Sequence, residues 1–337
     1  MQLREGTAIF VRANGDVQVG MGPASTLLTG LEPVEQSYLQ SLKFRSSNTA
    51  THARAKKRNI SEARVHKLED LLKQRHLTQL AAEAQSTSDS KRLMRRDGTT
   101  IALGKREQIR VDIVVHSCGD PTQFLKMRTY LSALVKSLRG ASIKRLDLRY
   151  LGDDMGNSSR TTLNQSVGLG KPLASEPHFI IALFARASSY SLIREWQDSG
   201  IPLLPVVFNE DNVQVGPFVR TGGSPCLECV DRNLRDVDEE WPALQIQCRH
   251  QPFPSLSPDL ITASAMMTAR LVANEIDGYG LPPGEVRFID ENFVVGRFSW
   301  PVHRECSCTG LPASVKVPVQ KKSDQAEEDK SPKSRTR

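Results

Sequence analysis

Alternating apolar and polar positions open the chain and predict a β-hairpin. Residues 7–12 and 17–19 carry the alternation, and the dipeptide Asn14-Gly15 lies between them. Asn-Gly is the pair that best suits the two central positions of a type I′ turn. We therefore expect two antiparallel strands close to the start of the chain.

Helical periodicity follows the hairpin. A helix is predicted after Pro33, with Val34, Tyr38 and Leu42 on one apolar face. The next stretch, residues 46–59, is polar and basic, and it interrupts the apolar pattern.

A second helix is predicted from Ser61, a residue that suits the N-cap position. Ile60 and Val65 are placed to pack against each other across the start of this helix. A hairpin with two or three helices in roughly 80 residues matches a winged-helix module, and such modules bind DNA or bind peptides by strand addition at an exposed edge. We assign residues 1–82 to a winged-helix-like peptide-recognition module.

From residue 109 the pattern changes to short apolar runs that alternate with helical periodicity. Four strands are predicted, at residues 110–116, 143–150, 178–184 and 202–208. Strands that alternate with helices indicate a parallel, doubly wound sheet. An apolar helix over residues 259–277 and a closing strand pair from Glu285 follow. The predicted fold class for residues 109–310 is α/β and Rossmann-like.

Two segments lack this patterning. Residues 83–108 are polar and basic, and they predict a linker between the two modules. Residues 311–337 consist mainly of Lys, Ser, Glu and Pro, a composition typical of a disordered tail.

The composition is ordinary for a soluble globular protein: the chain has 337 residues, of which 39% are hydrophobic and 25% charged. No run approaches the roughly 18 consecutive apolar residues of a membrane span. The first residues lack the apolar segment of an export signal. We expect a cytoplasmic protein that makes no membrane contact.

The net charge of +7 is concentrated in one strip. Residues 43–110 hold 17 Lys or Arg against 7 Asp or Glu, so the remainder of the chain is slightly acidic. Such a run is commonly a solvated linker; the alternatives are that it attracts an acidic peptide or binds nucleic acid. The strip is poor in the aromatic side chains on which bases stack, so nucleic acid is not the expected partner.

Two close cysteine pairs, Cys226 with Cys229 and Cys306 with Cys308, lie far apart in the sequence. Two such pairs complete a tetrahedral zinc site, in which each pair holds one side of the metal. Two disulfides, or four unrelated buried thiols, are the alternatives, but disulfides are rare in proteins that are not exported. Four protein ligands close the site, so the pattern predicts structural zinc and no metal catalysis. His303 is a candidate to hydrogen-bond the cluster.

The sequence lacks a usual phosphate-binding turn. Residues 116–121, after the first predicted strand, contain one glycine where a nucleotide loop has several, and Pro121 removes an amide donor. Gly168, Gly170 and Lys171 partly match a phosphate loop, but the earlier glycine and the Ser or Thr after the lysine are missing.

Other side chains are weaker candidates for chemistry. Cys118, at a predicted helix start, is a candidate nucleophile, although a lone cysteine after a buried strand is more often packed in a core. Cys248 and His250 are a candidate metal pair, but the two closer cysteine pairs already complete a site. No Ser/His/Asp or paired-carboxylate arrangement stands out.

Three stretches together resemble the ThiF/MoeB/HesA family of ubiquitin-activating-enzyme-like proteins. They are Val215-Gly216-Pro217 followed by Cys226 and Cys229, the late cysteine pair after Trp300-Pro301, and residues 153–160 with Gly170-Lys171-Pro172. The third is similar to the family's Asn-x-x-Arg and Gly-Lys-Pro segments. The resemblance implies a ThiF-type Rossmann domain in which Asn157, Arg160 and Lys171 are remnants of a nucleotide site.

Within this family the chain is most similar to the cyclodehydratase partner proteins of thiazole/oxazole-modified peptide (bacteriocin) clusters. The resemblance implies that the N-terminal module binds the leader part of a precursor peptide. It also implies that the chain presents this peptide to a YcaO-type enzyme. Relatives of the fold are commonly dimers, so a homodimer is a further expectation.

The chain departs from the members that adenylate their substrates. Those members keep a glycine-rich loop where this chain has residues 116–121, and a magnesium-binding Asp where Phe184-Ala185-Arg186 stands. Arg149-Tyr150 replaces an acidic residue after the second strand. We therefore expect a non-catalytic scaffold that does not use ATP. An adenylyltransferase with an atypical nucleotide loop and a winged-helix DNA-binding protein are the alternatives.

Overall fold

The computed structural model of the protein describes residues 2–3, 7–22, 25–42, 48–75, 77–79, 88–116, 121–151, 164–170, 173–249 and 251–310. Within these ranges the strands form a two-stranded, a three-stranded and a seven-stranded sheet. Among the described helices, none combines the length and the hydropathy that crossing a membrane requires.

The N-terminal elements share one apolar core. In chain order they are β1 (Gln2–Leu3), β2 (Ile9–Val11), β3 (Val17–Val19), β4 (Thr26–Leu28), α1 (Pro33–Ser41), α2 (Asn48–Lys57), α3 (Glu62–Gln74) and β5 (Thr78–Gln79). Strands β2, β3 and β4 form an antiparallel sheet in that order, and β1 pairs with β5. Side chains from the sheet and from all three helices meet in this core, among them Val17, Tyr38, Ala55 and Leu68.

The predicted hairpin is present, but its turn differs from the expected type. The amide of Arg12 donates to the carbonyl of Asp16 at 2.8 Å, so the loop between these residues has three positions. Gly15 has a φ of 83°, whereas the φ of Asn14 is not positive. A type I′ turn requires positive φ at both central residues. The loop is therefore a three-residue turn with glycine in the left-handed position.

The helices after the hairpin are confirmed with one correction and one addition. In α1 the buried apolar face is Tyr38, Leu39 and Leu42, whereas Val34 is 40% exposed. The basic stretch contains α2, which packs on α3 through Ala55, a small residue that the apolar pattern did not reveal. The hydroxyl of Ser61 accepts the amide of Arg64 at 3.4 Å, as an N-cap does.

The seven-stranded sheet is mixed. It contains β6 (Arg110–His116), β7 (Arg145–Leu151), β8 (Phe179–Ala185), β9 (Leu203–Phe208), β10 (Asn212–Val215), β11 (Glu285–Asp290) and β12 (Val295–Ser299). Their spatial order is β12-β11-β10-β9-β8-β6-β7. Strands β7, β6, β8 and β9 are parallel, as predicted, whereas β10, β11 and β12 continue the sheet in antiparallel pairs. The doubly wound pattern therefore accounts for only half of the sheet.

Helices cover both faces of the parallel half. They are α4 (Ser88–Asp97), α5 (Ile101–Gln108), α6 (Pro121–Gly140), α7 (Tyr190–Asp198), α8 (Leu227–Val237), α9 (Trp241–Cys248) and α10 (Pro258–Ile276). Alternate residues of β6 separate the two layers, because successive side chains in a strand point to opposite faces. Val111 and Ile113 pack with α6 and α10, whereas Val114 packs with the layer that includes α7 and α8.

Residues 88–108, predicted as a linker, contain two helices that are joined to α10 by buried ion pairs. The guanidinium of Arg106 is fully buried and donates to Asp277 at 2.6 and 2.8 Å and to Asp89. Arg270 donates to Asp89 at 2.6 Å. The sequence pattern missed this arrangement because the basic residues find their carboxylates far away in the chain.

These contacts make Asp89 sensitive to mutation and to acid. Burial raises the pKa of Asp89, but hydrogen bonds from Arg270, Arg92 and Arg106 outweigh it and hold the pKa at about 2. We expect Asp89→Asn to lower the free energy of unfolding by about 3 kcal/mol at neutral pH, because the buried Arg106 then keeps only Asp277 as a partner and Arg270 loses its ion pair with Asp89. The folded pKa lies below the unfolded one, so the wild type loses this stabilisation as the pH falls from about 4 towards 2.

Urea unfolding, followed by circular dichroism at several pH values, measures both effects. The matched control is Asp198→Asn, which removes an exposed ion pair with Arg194 and is expected to cost less than about 1 kcal/mol. Equal losses in the two variants would contradict the importance of the buried network.

Candidate metal centre

The structure brings the four predicted cysteines together. Their sulfur atoms all lie within 4.8 Å of one another. The Cys226 sulfur is 3.8 Å from that of Cys229 and 3.5 Å from that of Cys306, and the Cys229 and Cys308 sulfurs are 3.3 Å apart. Four thiolates bound to zinc at about 2.3 Å in a tetrahedron have sulfurs about 3.8 Å apart. The four side chains can therefore hold a metal ion, with all four positions of a tetrahedral site taken by protein.

Local structure places each pair. Cys226 is the N-cap of α8, and its sulfur accepts the amide of Cys229 at 3.4 Å, so the helix start presents both thiols on one side. The second pair lies beyond β12, where Cys308 is in a short 3-10 helix, Ser307–Gly310. Cys226, Cys229 and Cys306 are buried and Cys308 is half-buried. Two distant segments therefore meet at one apolar point.

The electrostatics of the cluster favour a bound cation. Burial raises the pKa of Cys226, and it raises that of Cys306 to about 12. Burial also acts on Cys229, but hydrogen bonds from the His303 backbone and from Cys308 outweigh it and lower the pKa. Four crowded thiols in an apolar site do not ionise together unless a cation compensates their charge, and Zn²⁺ deprotonates coordinating thiols.

His303 supports the cluster mainly through its position in the loop. The ring nitrogen Nε2 lies 2.9 Å from Asp236, and Nδ1 accepts the amide of Glu305 at 3.1 Å. The carbonyl of His303 accepts the amide of Cys306 at 3.0 Å. The expected link between His303 and the cluster is thus made by the backbone, while the ring anchors the loop to α8.

Arg232 is a site residue that the sequence analysis missed. It lies one helical turn after Glu228 and donates to its carboxylate at 2.7 Å, and it is 3.7 Å from Glu305 beside the second cysteine pair. The Glu228 carboxylate also lies 3.7 Å from the sulfur of Cys306. The only local signal was the spacing of Glu228 and Arg232, which is common on any exposed helix.

The other predicted site residues are not brought into this cluster. Asn157, Arg160 and Lys171, the expected nucleotide remnants, lie outside the described residues, as do Cys118 and His250. Cys248 ends α9, is half-buried, and has a pKa raised by burial.

Two basic side chains, Arg186 and Arg149, stand at positions where the resemblance implies acidic ones, and both form ion pairs. Arg186 directly follows β8, forms an ion pair with Glu210 and donates to the carbonyl of Pro252 at 2.7 Å. Arg149, in β7, forms an ion pair with the buried Asp112 of β6. Each guanidinium therefore has a structural role at the position that the resemblance assigned to a carboxylate.

Solved structures of other proteins share this fold. No family model and no curated protein matches the sequence. A heterocyclase solved in complex with substrate and cofactor is 14% identical, with a TM-score of 0.61 over 92% of this chain. The chain spans only 39% of the heterocyclase's length.

E. coli MccB has the same fold and nearly the same length. Its structure with ATP is 16% identical to this chain, with a TM-score of 0.56 over 92% of this chain and 99% of MccB. MccB solved with N-formylated MccA, described as the microcin C7 biosynthetic enzyme, is 14% identical, with a TM-score of 0.57 and the same coverage. At these identities the comparison confirms the expected ThiF-type, Rossmann-like fold.

Zinc binding can be tested on the cysteines directly. We expect the purified chain to contain one zinc ion, and Cys229→Ser or Cys306→Ser to lose it, because three thiolates no longer close the site. The midpoint of thermal unfolding is expected to fall by on the order of 10 °C. Elemental analysis by mass spectrometry and calorimetry measure the two quantities.

The matched control is Cys248→Ser, which changes a half-buried cysteine outside the cluster. It should retain the metal and most of the stability. A wild-type chain that contains no metal, even after purification with added zinc, would refute the assignment.

Proposed function

We propose that this protein is a zinc-stabilised, non-catalytic ThiF-like scaffold that binds the leader of a precursor peptide. It presents this peptide to a partner enzyme of the YcaO type in azoline or bacteriocin-type peptide biosynthesis, and it acts as a homodimer. Residues 1–82 form the winged-helix-like recognition module and residues 109–310 form the ThiF-like domain. The tail predicted over residues 311–337 lies outside the residues that the structure describes.

The shared fold supports the peptide part of this proposal. The similar structures include a heterocyclase with its substrate and MccB in complex with MccA. The observation that carries the proposal for this chain is the edge of the N-terminal sheet. Strand β2 lies at that edge, and its residues Phe10 and Val11 are 40% and 44% exposed.

The hydrogen-bond register shows which groups face away from the sheet. In the β2–β3 pair the backbone bonds join Arg12 to Asp16 and Gly20 to Ala8. Bonded pairs alternate along an antiparallel ladder, so Phe10 bonds to Gln18, and the N–H and C=O of Val11 point away from β3. An extended peptide added at this edge would pair with these groups, as in strand-addition recognition.

Val11→Pro tests this edge, because proline removes the outward N–H and leaves the bonds to β3 in place. The ligands to test are small precursor peptides encoded near the gene for this protein, and calorimetry measures their binding to the full chain. We expect the wild type to bind and Val11→Pro to weaken binding by about tenfold or more.

Leu27→Pro is the matched control. Leu27 is the central residue of β4, on the opposite edge, and by the same alternation its N–H also points away from β3. This variant should bind normally. Equal weakening in both proline variants, or binding unchanged by Val11→Pro, would reject β2 as the binding edge.

The paired arginines support a non-catalytic domain. Magnesium requires carboxylate or other oxygen ligands, and an arginine beside the phosphates cannot supply one. Arg186 stands at the position that the resemblance assigns to the metal-binding Asp, and its ion pair with Glu210 occupies the nearby carboxylate.

ATP–pyrophosphate exchange tests this point. We expect no exchange above background for the full chain with ATP and magnesium, with or without the precursor peptide. Exchange that is lost in Arg160→Ala or Lys171→Ala would contradict the proposal and establish an adenylyltransferase with an atypical nucleotide loop.

A further inference from the structure

A basic pocket lies on the N-terminal module, at the contact between α1 and α2. It has a volume of about 470 Å³ and is lined by Ser41, Arg54, Lys57 and Arg58. Residues 48–59 contain Arg54, Lys56, Lys57 and Arg58 and no Asp or Glu. The lining is thus cationic, and its charges lie at the C-terminal end of α2, where the helix dipole favours cations.

The contacts of Lys57 and Arg58 leave the charge of these two side chains available. Arg58 donates to the hydroxyl of Ser37 at 3.3 Å and to the carbonyl of Arg54 at 3.1 Å, both uncharged acceptors. Within the part of the chain that the structure describes, no carboxylate forms an ion pair with Lys57 or Arg58. Lys57 is exposed and Arg58 is half-buried, so both positive charges are open to an incoming ligand.

The neighbouring carboxylates of the module are already engaged. Glu35 is buried and accepts from Arg64 at 2.5 Å, and this hydrogen bond lowers the pKa of Glu35 despite its burial. Glu69 is buried and accepts the hydroxyl of Tyr38 at 3.2 Å. Glu69 cannot turn to the pocket without leaving the buried hydroxyl of Tyr38 unsatisfied, and Glu35 would lose its ion pair with Arg64.

Helix α1 connects the pocket with the hairpin loop that follows β2. Gln36 donates to the carbonyl of Gly15 in this loop at 2.7 Å, and Ser41, five residues later in the same helix, lines the pocket. Five helical residues rise about 7.5 Å along the helix axis. One helix therefore positions both the loop next to the Val11 end of β2 and the pocket.

We infer that this pocket binds an acidic segment, with Asp or Glu side chains, of the same peptide that pairs with β2. The inference rests on the proposed function. It adds the chemical class of the ligand: an extended apolar stretch for the strand edge, flanked by carboxylates for the pocket. Guanidinium and ammonium groups bind carboxylates through charge-assisted hydrogen bonds.

The test uses a fluorescein-labelled peptide of ten glutamates as the probe, with ten glutamines as the neutral control. Fluorescence anisotropy follows binding to the full chain at low salt. We expect the glutamate probe to bind, and the double variant Lys57→Glu/Arg58→Glu to bind it about tenfold or more weakly. Thermal unfolding is measured for each variant, and Lys57→Glu alone, at an exposed position, is expected to show a smaller loss with an unchanged fold.

The matched control is Lys67→Glu/Lys105→Glu, which changes the net charge equally at two exposed lysines outside the pocket. It should bind the probe within about twofold of the wild type. If both double variants lose the same affinity for the probe, the overall positive charge of the chain attracts the probe and the pocket does not. This result would overturn the inference. Tighter binding of a duplex DNA, lost in the pocket variant, would also overturn it in favour of nucleic acid.

The same variants distinguish this inference from the proposed function. Val11→Pro is expected to bind the glutamate probe normally, because the pocket does not include β2. If the precursor peptide depends on Val11 and is unaffected by the pocket variant, the proposed function stands and the inference fails. If the glutamate probe binds only with an intact pocket but no precursor peptide binds, the pocket is confirmed as a site for acidic peptides. The proposed leader-binding function is then rejected.

Discussion

The meeting of four thiols is the constraint that connects the end of the large sheet to a helix that packs on its parallel strands. Cys226 and Cys229 begin α8, which packs over the parallel strands. The second pair follows β12, the outermost strand of the antiparallel half. One metal ion would therefore fix the start of a helix to the end of the sheet without any long apolar interface. Because protein atoms would fill all four positions, such an ion would stabilise this geometry and would have no open position for a substrate.

Buried ion pairs also connect distant segments elsewhere in the fold. Arg106 joins α4 and α5 to α10 through Asp89 and Asp277. Arg110 donates to Asp112 at 2.7 Å and to Asp147 at 3.1 Å, between adjacent strands and away from solvent. Such groups cost desolvation energy, so each is stable only with its partner in place. Four basic residues of the segment 88–110 form ion pairs with carboxylates: Arg92, Arg96, Arg106 and Arg110.

On the N-terminal module, basic side chains and a strand edge lie at the surface and are open to ligands. There the basic side chains of α2 line a surface pocket, and the outer edge of β2 presents backbone groups beside exposed apolar side chains. The helices and strands that carry these surfaces pack on one apolar core within the module. The proposed peptide function thus depends on the surfaces of this small module.

The sequence by itself determined the elements whose signals are local. The parallel strands, the N-cap at Ser61 and the spacing of the two cysteine pairs follow from periodicity and residue type, which neighbouring residues carry. The short strand β10 and helix α9 escaped prediction because few residues define each of them.

Only the tertiary structure decided which distant residues meet. It brought Cys226 to Cys306, paired Arg106 with Asp277, and set Arg186 against Glu210. Residues 88–108 looked like a linker because a basic run carries no sign of the carboxylates that will neutralise it. Those partners lie up to 181 positions away. Their pairing depends on how the whole chain packs.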